Sequence, residues 1–406
     1  MARALSLFSI ILLGSLLCWS QPPFSHIVIV IQENRTPDNL FGSCVIPGAD
    51  LVATGNQLSL GSNVDVDHGH KTFLAEVGGK YQSKAFAYVQ QSDVASYCQL
   101  GAQYAFANRM FQTNQGPSTP AHQFLFSGTS APSDTSDWFE SEIAFGGCLS
   151  IGLTLVQFID PAGKENHMGS PCLDPSTMAD LLDPAGISWR YYAPSATSMW
   201  TAPAAIKHLC VPVKIGFAYN CTGEDWKNMD FNPPDVLDDI ANNNLAAVSW
   251  VVPSAPYSDH PGYGTGGPAW VASIVNAIGQ SAYWQSTAVI VLWDDWGGWY
   301  DHVPPLQNST GWCPSYCYGF RVPMLVISAY TPTGYVDNNT HDFGSILRFV
   351  ESNFGLGLIG PGTYADSYSD NLAEFFTAGQ QEFKSIRGAR KAAYFKAQPL
   401  KDPDDE

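Results

Sequence analysis

Positive charge is scarce in this 406-residue chain, which has 19 Lys and Arg residues against 37 Asp and Glu residues. The formal net charge is −18 at pH 7. Proteins that coat DNA or RNA need clustered Lys and Arg to neutralise phosphates, so this composition argues against nucleic-acid binding. It also argues against electrostatic docking to anionic lipid headgroups.

Long apolar runs are absent beyond the amino terminus, where Arg3 precedes the apolar stretch 4–17. Small or polar residues follow and end near Ser20, which is the pattern of a secretory signal peptide. The run is shorter than the roughly 20 residues that a membrane span needs. We therefore expect residues 1–20 to be a signal peptide and the mature protein to be secreted or periplasmic, with no stable membrane anchor. A buried first helix is the alternative.

The sequence contains no CxxC pair, which leaves a cysteine-based zinc site without support. Removal of residues 1–20 leaves eight cysteines, and an even number in an exported chain favours disulfides. We expect two local pairs and two longer ones, namely Cys210–Cys221, Cys313–Cys317, Cys44–Cys98 and Cys148–Cys172.

Four runs are rich in apolar and β-branched residues and lack polar alternation, as in strands covered on both faces of a parallel sheet. These runs are 26–31, 247–252, 288–293 and 322–327. Apolar residues recur at helical spacing in 269–281 and 343–354. Strands alternating with helices predict an α/β fold with a mostly parallel central sheet sandwiched by helices.

Composition also distinguishes three regions of the chain, namely a domain, an excursion within it and a tail. The stretch of about 130–235 is rich in Gly, Pro, Ser and aromatic residues and has little periodicity, so we expect it to be a cap-like excursion over the sheet. The acidic end of the chain predicts a flexible tail over 381–406. We therefore expect a single domain over 21–380.

Polar side chains follow three of the predicted strands. Glu33 and Asn34 come after the first strand, His260 follows the second, and Asp294 with Asp295 follows the third. In open α/β sheets, ligands bind outside the carboxyl ends of the strands. Acidic residues gathered there are costly unless a cation neutralises them, so the sequence predicts a metal-dependent site at this edge.

Five motifs occur in order along nearly the whole chain, from about residue 24 to 360. They are HIVIVIQENRTPDNLFG (26–42), DVDHGH (65–70), QGPSTPAHQFLFSGTS (115–130), PYSDHPGYG (256–264) and DDWGGWYDHVPP (294–305). Together they resemble the phosphoesterase family that contains bacterial phospholipases C and acid phosphatases, within the alkaline-phosphatase-like superfamily. The resemblance implies an alkaline-phosphatase-like sheet with long cap-like insertions.

The resemblance implies one divalent metal ion and a serine nucleophile. The implied metal ligands are Glu33, Asn34, Ser118, Asp294 and Asp295; many relatives have Asp-Glu where this chain has Asp294-Asp295. Such hard oxygen ligands suit Ca²⁺, Mg²⁺ or Mn²⁺, and Zn²⁺ stays open. Ser118 matches the position of the nucleophile. A helix N-cap is the competing interpretation of Ser118, and Thr119 is the alternative nucleophile.

The resemblance also implies roles for several histidines. His68 and His260 match residues that contact the phosphoryl or leaving group, as catalytic residues beside Ser118. Asn34, His70 and His302 are the expected substrate-binding residues, and supporting Asp294 or Asp295 is the alternative for His302. The sequence alone does not indicate where His208 lies relative to the site. We expect the remaining histidines of interest to be structural or exposed, namely His122, His167 and His341.

The function that follows is a secreted metal-dependent phosphoesterase that acts through a phosphoserine intermediate on a phosphate monoester. Larger phospholipases of the family carry extra carboxy-terminal modules, which favours the acid-phosphatase-like branch for this chain. The alternatives are a phospholipase C acting on phospholipids and a non-catalytic surface-binding protein, which would hydrolyse nothing. A sulfatase is disfavoured because the Ser118 segment lacks the arginine of a CxPxR-type motif.

Overall fold

Strands and helices alternate along the described part of the chain. The computed structural model describes residues 24–136, 139–140, 146–160, 162–306 and 318–403. The strands of these residues are β1 (His26–Gln32), β2 (Asn56–Leu58), β3 (Ala87–Val89), β4 (Ala105–Ala107), β5 (Phe139–Glu140), β6 (Val156–Ile159), β7 (His167–Gly169), β8 (Trp189–Tyr192), β9 (Pro212–Ile215), β10 (Ala218–Cys221), β11 (Met229–Asp230), β12 (Val248–Val251), β13 (Thr287–Trp293), β14 (Met324–Ile327) and β15 (Tyr335–Asp337). Their α-helices are α1 (Pro37–Phe41), α2 (His70–Val77), α3 (Ala95–Gln103), α4 (Ser118–Ser127), α5 (Met178–Leu182), α6 (Lys207–Cys210), α7 (Asp235–Ala241), α8 (Gly267–Gly279), α9 (Phe343–Phe354) and α10 (Ala392–Lys396).

Eight of the described strands form the central sheet, in the order β11-β8-β12-β1-β13-β14-β4-β15. The five strands from β11 to β13 are parallel, and β14 is antiparallel to both of its neighbours. The fold is therefore α/β with a mostly parallel sheet, as the sequence predicted. The run 322–327, expected in the parallel part, supplies the antiparallel β14. An unbroken apolar run indicates burial on both faces and carries no information on strand direction.

Helices flank the sheet in two groups, with α3, α7 and α8 packed together in one and α4 and α9 in the other. Helix α4, which carries Ser118, is anchored on β12 by aromatic contacts. The rings of Phe126 and Trp250 lie 5.0 Å apart, and Trp250 Nε1 donates a hydrogen bond to the carbonyl of Leu125 at 3.1 Å. Such edge-to-face pairs fix a helix on a sheet more specifically than aliphatic contacts do.

The region 130–235 is less of an excursion than its composition predicted. Its segments β8 and β11 belong to the central sheet, where β8 pairs with β12. The strand β8 is short and aromatic, and its residues Trp189, Tyr191 and Tyr192 are buried. A four-residue strand without alternation gives little sequence signal, so its place in the sheet is not evident from the sequence. The rest of the region contributes a small sheet of β5, β6 and β7 and the hairpin of β9 and β10.

The expected flexible tail is packed against the domain as far as residue 403. Ile386 and Phe395 are buried, and the backbone of Ile386 exchanges two 2.8 Å hydrogen bonds with the side chain of Asn276 on α8. The ring of Phe395 lies 5.0 Å from that of Trp270. This packing is not evident from the sequence, because two apolar residues separated by polar ones give no periodic signal.

Three of the expected disulfides are present, and they tie loops to the domain. The pairs are Cys44–Cys98, Cys148–Cys172 and Cys210–Cys221. Cys313 and Cys317 lie outside the described residues, as does the predicted signal peptide. Disulfides persist in oxidising compartments, so these bonds fit an extracellular protein. Among the described residues, no helix combines the length and the hydropathy needed to cross a bilayer.

Candidate active site

The carboxyl ends of β1 and β13 bring the predicted acidic residues together. Gln32 and Trp293 end these parallel strands in register, so Glu33 and Asp294 leave the sheet side by side. The backbone amide of Asn34 donates a hydrogen bond to Asp294 Oδ1 at 3.1 Å. All four predicted ligands from these two strand ends are fully buried. The structure thus gathers them at the edge where α/β sheets bind ligands.

Tight backbone turns hold the two strand ends against each other. Asn34 adopts a left-handed conformation with φ of 60°, and Gly297 has the same φ value. A Cβ atom on Gly297 would lie 2.3 Å from the carbonyl oxygen of Asn34, so only glycine fits this approach. The amide of Gly297 in turn donates to Asp295 Oδ1 at 2.7 Å. The glycine therefore allows the close approach and also helps to orient a predicted ligand.

Ser118 joins the cluster at the first residue of α4. Its Oγ donates a hydrogen bond to Asp295 Oδ2 at 3.1 Å, and its side chain is fully buried. The N-cap position belongs to Pro117, so Ser118 does not cap the helix. Ser118 also lies where backbone amides and the helix dipole favour an anion. Its geometry suits a nucleophile better than the capping role.

His122 is a site residue that the sequence interpretation missed. It lies four residues after Ser118 on α4, its side chain is fully buried, and its Nε2 is 3.0 Å from Glu33 Oε1 and 3.8 Å from Asp294 Oδ2. Residues at i and i+4 share one face of a helix. The spacing of Ser118 and His122 in a segment predicted to start a helix was the signal available for finding it.

His68 reaches the same cluster from the loop before α2. Its Nδ1 lies 2.8 Å from the carbonyl of Val66, which places the proton on that nitrogen. The other ring nitrogen, Nε2, is 2.8 Å from Asn34 Nδ2 and 3.9 Å from Asp295 Oδ2. Because Nδ1 carries the proton, Nε2 accepts the hydrogen bond from Asn34. His68 therefore lies beside Asn34 and Asp295, and its contact with a phosphoryl or leaving group stays a prediction.

Glu33, His122 and Asp294 form a group that can hold a metal ion. One ligand atom from each lies within 4.8 Å of the others, and all three residues are buried. The hydrogen-bonded pair Ser118–Asp295 adjoins this group. Two carboxylate oxygens with one imidazole nitrogen are a donor set that divalent cations use in proteins. The nitrogen of His122 extends the oxygen-only set predicted from the sequence.

His260 lies in the loop after β12, beside aromatic side chains. Its ring is 6.3 Å from that of Trp200 and 4.9 Å from that of Tyr263. The preceding Asp259 has a left-handed φ of 73° and accepts a 2.6 Å hydrogen bond from the hydroxyl of Tyr97. Burial raises the pKa of Asp259 to about 6. A fixed loop thus presents His260, and its contact with a substrate stays a prediction.

His302 does not support Asp294 or Asp295, and it is engaged elsewhere. Its Nδ1 is 2.7 Å from Asp38 Oδ2 and its Nε2 is 3.0 Å from Asp50 Oδ1. Each ring nitrogen of His302 therefore has a carboxylate partner, and its contact with a substrate stays a prediction. We expected His302 in the site because it shares a short motif with Asp294. The chain turns at Gly297 and Gly298, however, and this turn carries His302 away from Asp294.

His70, the other expected substrate-binding histidine, contacts Phe73 and Glu165. It begins α2 and is buried, its ring stacks 6.2 Å from that of Phe73, and its Nδ1 is 2.6 Å from Glu165 Oε1. Glu165 belongs to the region predicted as a cap. His70 therefore links α2 to that region, and its contact with a substrate stays a prediction.

A buried glutamate contacts the tryptophan that follows the Asp294–Asp295 pair. Glu76 on α2 accepts a 2.9 Å hydrogen bond from Nε1 of Trp296, the residue after Asp295. Burial raises the pKa of Glu76 to about 8, so the group is largely protonated at neutral pH. The ring of Trp296 packs edge-on against His68 at 6.0 Å. This contact adds to the hydrogen bonds that hold the His68 ring.

The phosphoesterase family matches residues 62–357, and the chain belongs to this family. The match covers the segments that carry Ser118, His260 and the Asp294–Asp295 pair. The β1 segment with Glu33 and Asn34 precedes it, and its place in the site rests on the geometry described above. Membership agrees with the prediction, made from the five motifs, of a phosphoric ester hydrolase.

Relatives of known name include several phospholipases C. The chain is 26% identical to a non-hemolytic phospholipase C of Pseudomonas aeruginosa over 82% of this chain and 54% of that protein. It is 28% identical to phospholipase C B of Mycobacterium tuberculosis over 49% of this chain and 44% of that protein. A non-specific phospholipase C6 of Arabidopsis thaliana is 22% identical over 83% and 69%. The chain spans about half the length of these bacterial relatives.

Among solved structures, a protein in the alkaline phosphatase superfamily from Vibrio parahaemolyticus covers 87% of this chain and 72% of its own, with a TM-score of 0.42 and 13% identity. The lipoteichoic acid synthase LtaP from Listeria monocytogenes matches with a TM-score of 0.42 and 11% identity, over 86% and 79%. TM-scores of this size do not define a fold. The α/β fold rests on the sheet order given above.

Proposed function

We propose that this chain hydrolyses phosphate esters with Ser118 as the nucleophile. The observation that carries this proposal is the 3.1 Å hydrogen bond from Ser118 Oγ to Asp295 Oδ2, at the first turn of α4. A carboxylate in this position can accept the hydroxyl proton as the oxygen attacks phosphorus. The bond from phosphorus to Oγ forms, the bond to the leaving oxygen breaks, and Ser118 becomes phosphorylated.

Glu33, Asp294 and His122 would hold a divalent cation beside Ser118, with Asn34 and Asp295 as the further ligands predicted from the sequence. A bound cation would supply positive charge that favours the alkoxide of the serine and offsets its repulsion from an anionic phosphate. The chain's own contribution is positioning, since phosphoryl transfer depends mostly on placement and charge stabilisation. The buried carboxylates and the glycine turn support this rigid placement.

A histidine would complete both steps of the reaction. His68 Nε2, held 2.8 Å from the Asn34 amide nitrogen, is the candidate that would give a proton to the leaving oxygen when protonated. His260 is the second candidate for this role. Water would then attack the phosphoserine, the bond from phosphorus to Oγ would break, and Ser118 would regain its proton.

The relatives favour a phospholipid phosphodiester as the substrate, because those named above are phospholipases C. A phosphate monoester, which the sequence interpretation preferred, is the second candidate, because the motifs resemble acid phosphatases equally. Both substrates place an anionic phosphorus centre against the same serine. They differ in the leaving group and in the surface on which the substrate is presented.

The three disulfides support a secreted protein, in agreement with the signal-peptide pattern of residues 1–20. We propose that the chain is exported and acts outside the cytoplasm. Edman sequencing of the protein recovered from the culture medium should begin after Ser20. Recovery only from the cytosolic fraction with Met1 intact would contradict export.

Two chromogenic esters test the reaction and the substrate class. Release of p-nitrophenol is measured from p-nitrophenyl phosphate and from p-nitrophenyl phosphorylcholine, each with and without EDTA. We expect hydrolysis of the diester, its loss in EDTA and its return on addition of a divalent cation. Preference for the monoester would instead support the acid-phosphatase-like candidate, and hydrolysis unaffected by EDTA would contradict the cation.

Ser118→Ala should reduce turnover on the order of 10⁴-fold while the circular dichroism spectrum stays unchanged. Thr119→Ala is the matched control, because Thr119 is the next residue and is equally buried. This control should keep most of the activity. Full activity in Ser118→Ala, with loss in Thr119→Ala, would move the nucleophile to Thr119.

A further inference from the structure

The hairpin of β9 and β10 presents apolar side chains to solvent. Phe217 at its tip is fully exposed, and Ile215 is 62% exposed. Val211 and Val213 are also exposed. Gly216 makes the turn with a left-handed φ of 65°. Isolated exposed apolar residues are ordinary, but several on one short hairpin mark a surface that interacts with something apolar.

This hairpin is held rigidly rather than left as a loose loop. The disulfide Cys210–Cys221 closes its base, and residues 212–215 pair with 218–221 in antiparallel register. Strand β10 also packs against the turn Gly147–Ser150, which the second disulfide, Cys148–Cys172, fixes to the chain. Leu153, shortly after this turn, is 79% exposed. The exposed apolar residues therefore keep a fixed arrangement without help from a partner.

The charge along the segment that carries the hairpin departs from that of the rest of the chain. The chain has 37 acidic residues, yet the 40 residues from 184 to 223 contain no Asp or Glu. The charged side chains on and just before the hairpin include Lys207 and Lys214, and Lys214 Nζ lies 5.9 Å from the ring centroid of Tyr219. A carboxylate on this segment would be repelled by the phosphate groups of a lipid surface. Its absence leaves a surface that combines apolar tips with lysine.

The same segment is connected to the candidate active site. Trp200, whose ring lies 6.3 Å from that of His260, precedes the hairpin along the chain. The short turn Ala202–Ala205 that follows packs against α4, and Gln123 Nε2 donates to the carbonyl of Ala202 at 3.1 Å. Helix α4 begins with Ser118. The hairpin is thus attached to the scaffold that holds the proposed nucleophile.

We propose that the β9–β10 hairpin inserts Ile215 and Phe217 into the surface of a zwitterionic phospholipid layer and so brings the site to a lipid substrate. This inference rests on the proposed phosphoesterase function and specifies its substrate class. The net charge of −18 opposes binding to an anionic membrane, so the attraction is apolar and directed to neutral headgroups. Binding of this kind scales with buried apolar area and depends little on salt.

Vesicle flotation tests the docking surface. Purified protein is mixed with phosphatidylcholine vesicles in the presence of EDTA, and bound protein is measured at salt concentrations from about 0.05 to about 0.5 M. We expect wild-type protein to float at all of them, and the double variant Ile215→Ser/Phe217→Ser to lose binding on the order of thirtyfold. The matched control is Val45→Ser/Leu358→Ser, which removes two exposed apolar residues outside the hairpin. This control should bind like wild type.

Hydrolysis separates docking from chemistry. The hairpin variant should cleave soluble p-nitrophenyl phosphorylcholine at the wild-type rate and cleave phosphatidylcholine in vesicles at least tenfold more slowly. Equal vesicle binding by wild type and hairpin variant would overturn the docking proposal. So would a wild-type dimer in sedimentation that the hairpin substitutions dissociate, because a second copy would then cover the surface. Vesicle binding that requires the hairpin, without hydrolysis of any ester, would support docking and contradict the proposed function instead.

Discussion

Two buried groups of carboxylates and histidine each take a residue from the motif 294–305, Asp294 in one and Asp301 in the other, but their carboxylates have different partners. In the first, the ion-pair partners of Glu33 and Asp294 include the imidazole of His122. In the second, Asp301 receives two hydrogen bonds from the guanidinium of Arg321, at 2.8 and 3.1 Å. The second group contains a permanent cation, the guanidinium of Arg321, whereas a described partner of the carboxylates in the first group is a histidine, which is a cation only when protonated.

The nearest arginine in sequence does not neutralise the first group either. Arg35 directs its guanidinium to the carbonyl of Asp259 at 2.7 and 2.9 Å and to Asn39. Buried carboxylates repel one another unless positive charge lies among them. The comparison teaches that residue types alone do not identify a metal site. Both groups bring carboxylate and imidazole ligand atoms together, and the guanidinium of Arg321 is what distinguishes the second.

Asp294→Asn should give the largest effect, a loss of hydrolysis on the order of a thousandfold, because a charged oxygen ligand disappears while the hydrogen bond from the Asn34 amide can persist. Steady-state kinetics measures the loss, and urea unfolding in EDTA should show stability equal to or above wild type. Asp301→Asn is the control from the second group. It should unfold more easily and keep its kcat. The reverse pattern in the two variants would contradict the distinction between the groups.

Arg321→Met should destabilise the protein by about 3–5 kcal/mol, because it leaves the buried carboxylate of Asp301 without its cation and removes one of the partners of Asp38. The free energy of unfolding is measured in urea. Adding Asp301→Asn to this variant should recover part of the loss, as the buried charge is then reduced. A loss below about 1 kcal/mol would show that the second group does not depend on Arg321.

His122→Gln should lower the affinity for a divalent cation by about 10- to 100-fold, because one of three converging ligand atoms is lost. Isothermal titration calorimetry with the protein freed of metal measures the change. His302→Gln is the matched control, since its ring nitrogens face Asp38 and Asp50. Unchanged affinity in His122→Gln would remove that residue from the site.

A third group, centred on His341, should show the smallest effect, a pH dependence of stability. Burial lowers the pKa of His341, but hydrogen bonds to Asp337 and Asp370 outweigh it and raise the pKa to about 9. The charged histidine therefore stabilises the fold fully below its ordinary pKa of 6.5, and this contribution fades as the pH rises through about 9. Urea unfolding of wild type and His341→Gln should converge across that range. A constant difference would contradict the ion pair.

Much of the fold could be predicted from local pattern. The helix expected over 343–354 is α9, and the runs 26–31 and 288–293 are the central strands β1 and β13. These segments are long and uniformly buried, so their signal is strong. Strand β8 and the packed tail were missed because they rest on few residues with tertiary contacts.

The candidate site could also be predicted in part, namely where its residues follow strands with a strong sequence signal. Glu33 and Asp294 follow strands with a strong sequence signal. Because parallel strands end at the same edge of a sheet, these two side chains could be predicted to lie close together. His122 was missed because its role depends on which face of α4 meets the sheet. His302 was included because it is close to Asp294 in sequence. The turn at Gly297 and Gly298, both with left-handed φ, separates the two residues in space.

Trapping of the intermediate tests the central claim most directly. The protein is mixed with p-nitrophenyl phosphorylcholine, quenched in acid within the first turnover, digested and examined by mass spectrometry. The account predicts a phosphorylcholine group on Ser118, absent from the Ser118→Ala variant. Substrate turnover during which Ser118 stays unmodified would contradict it.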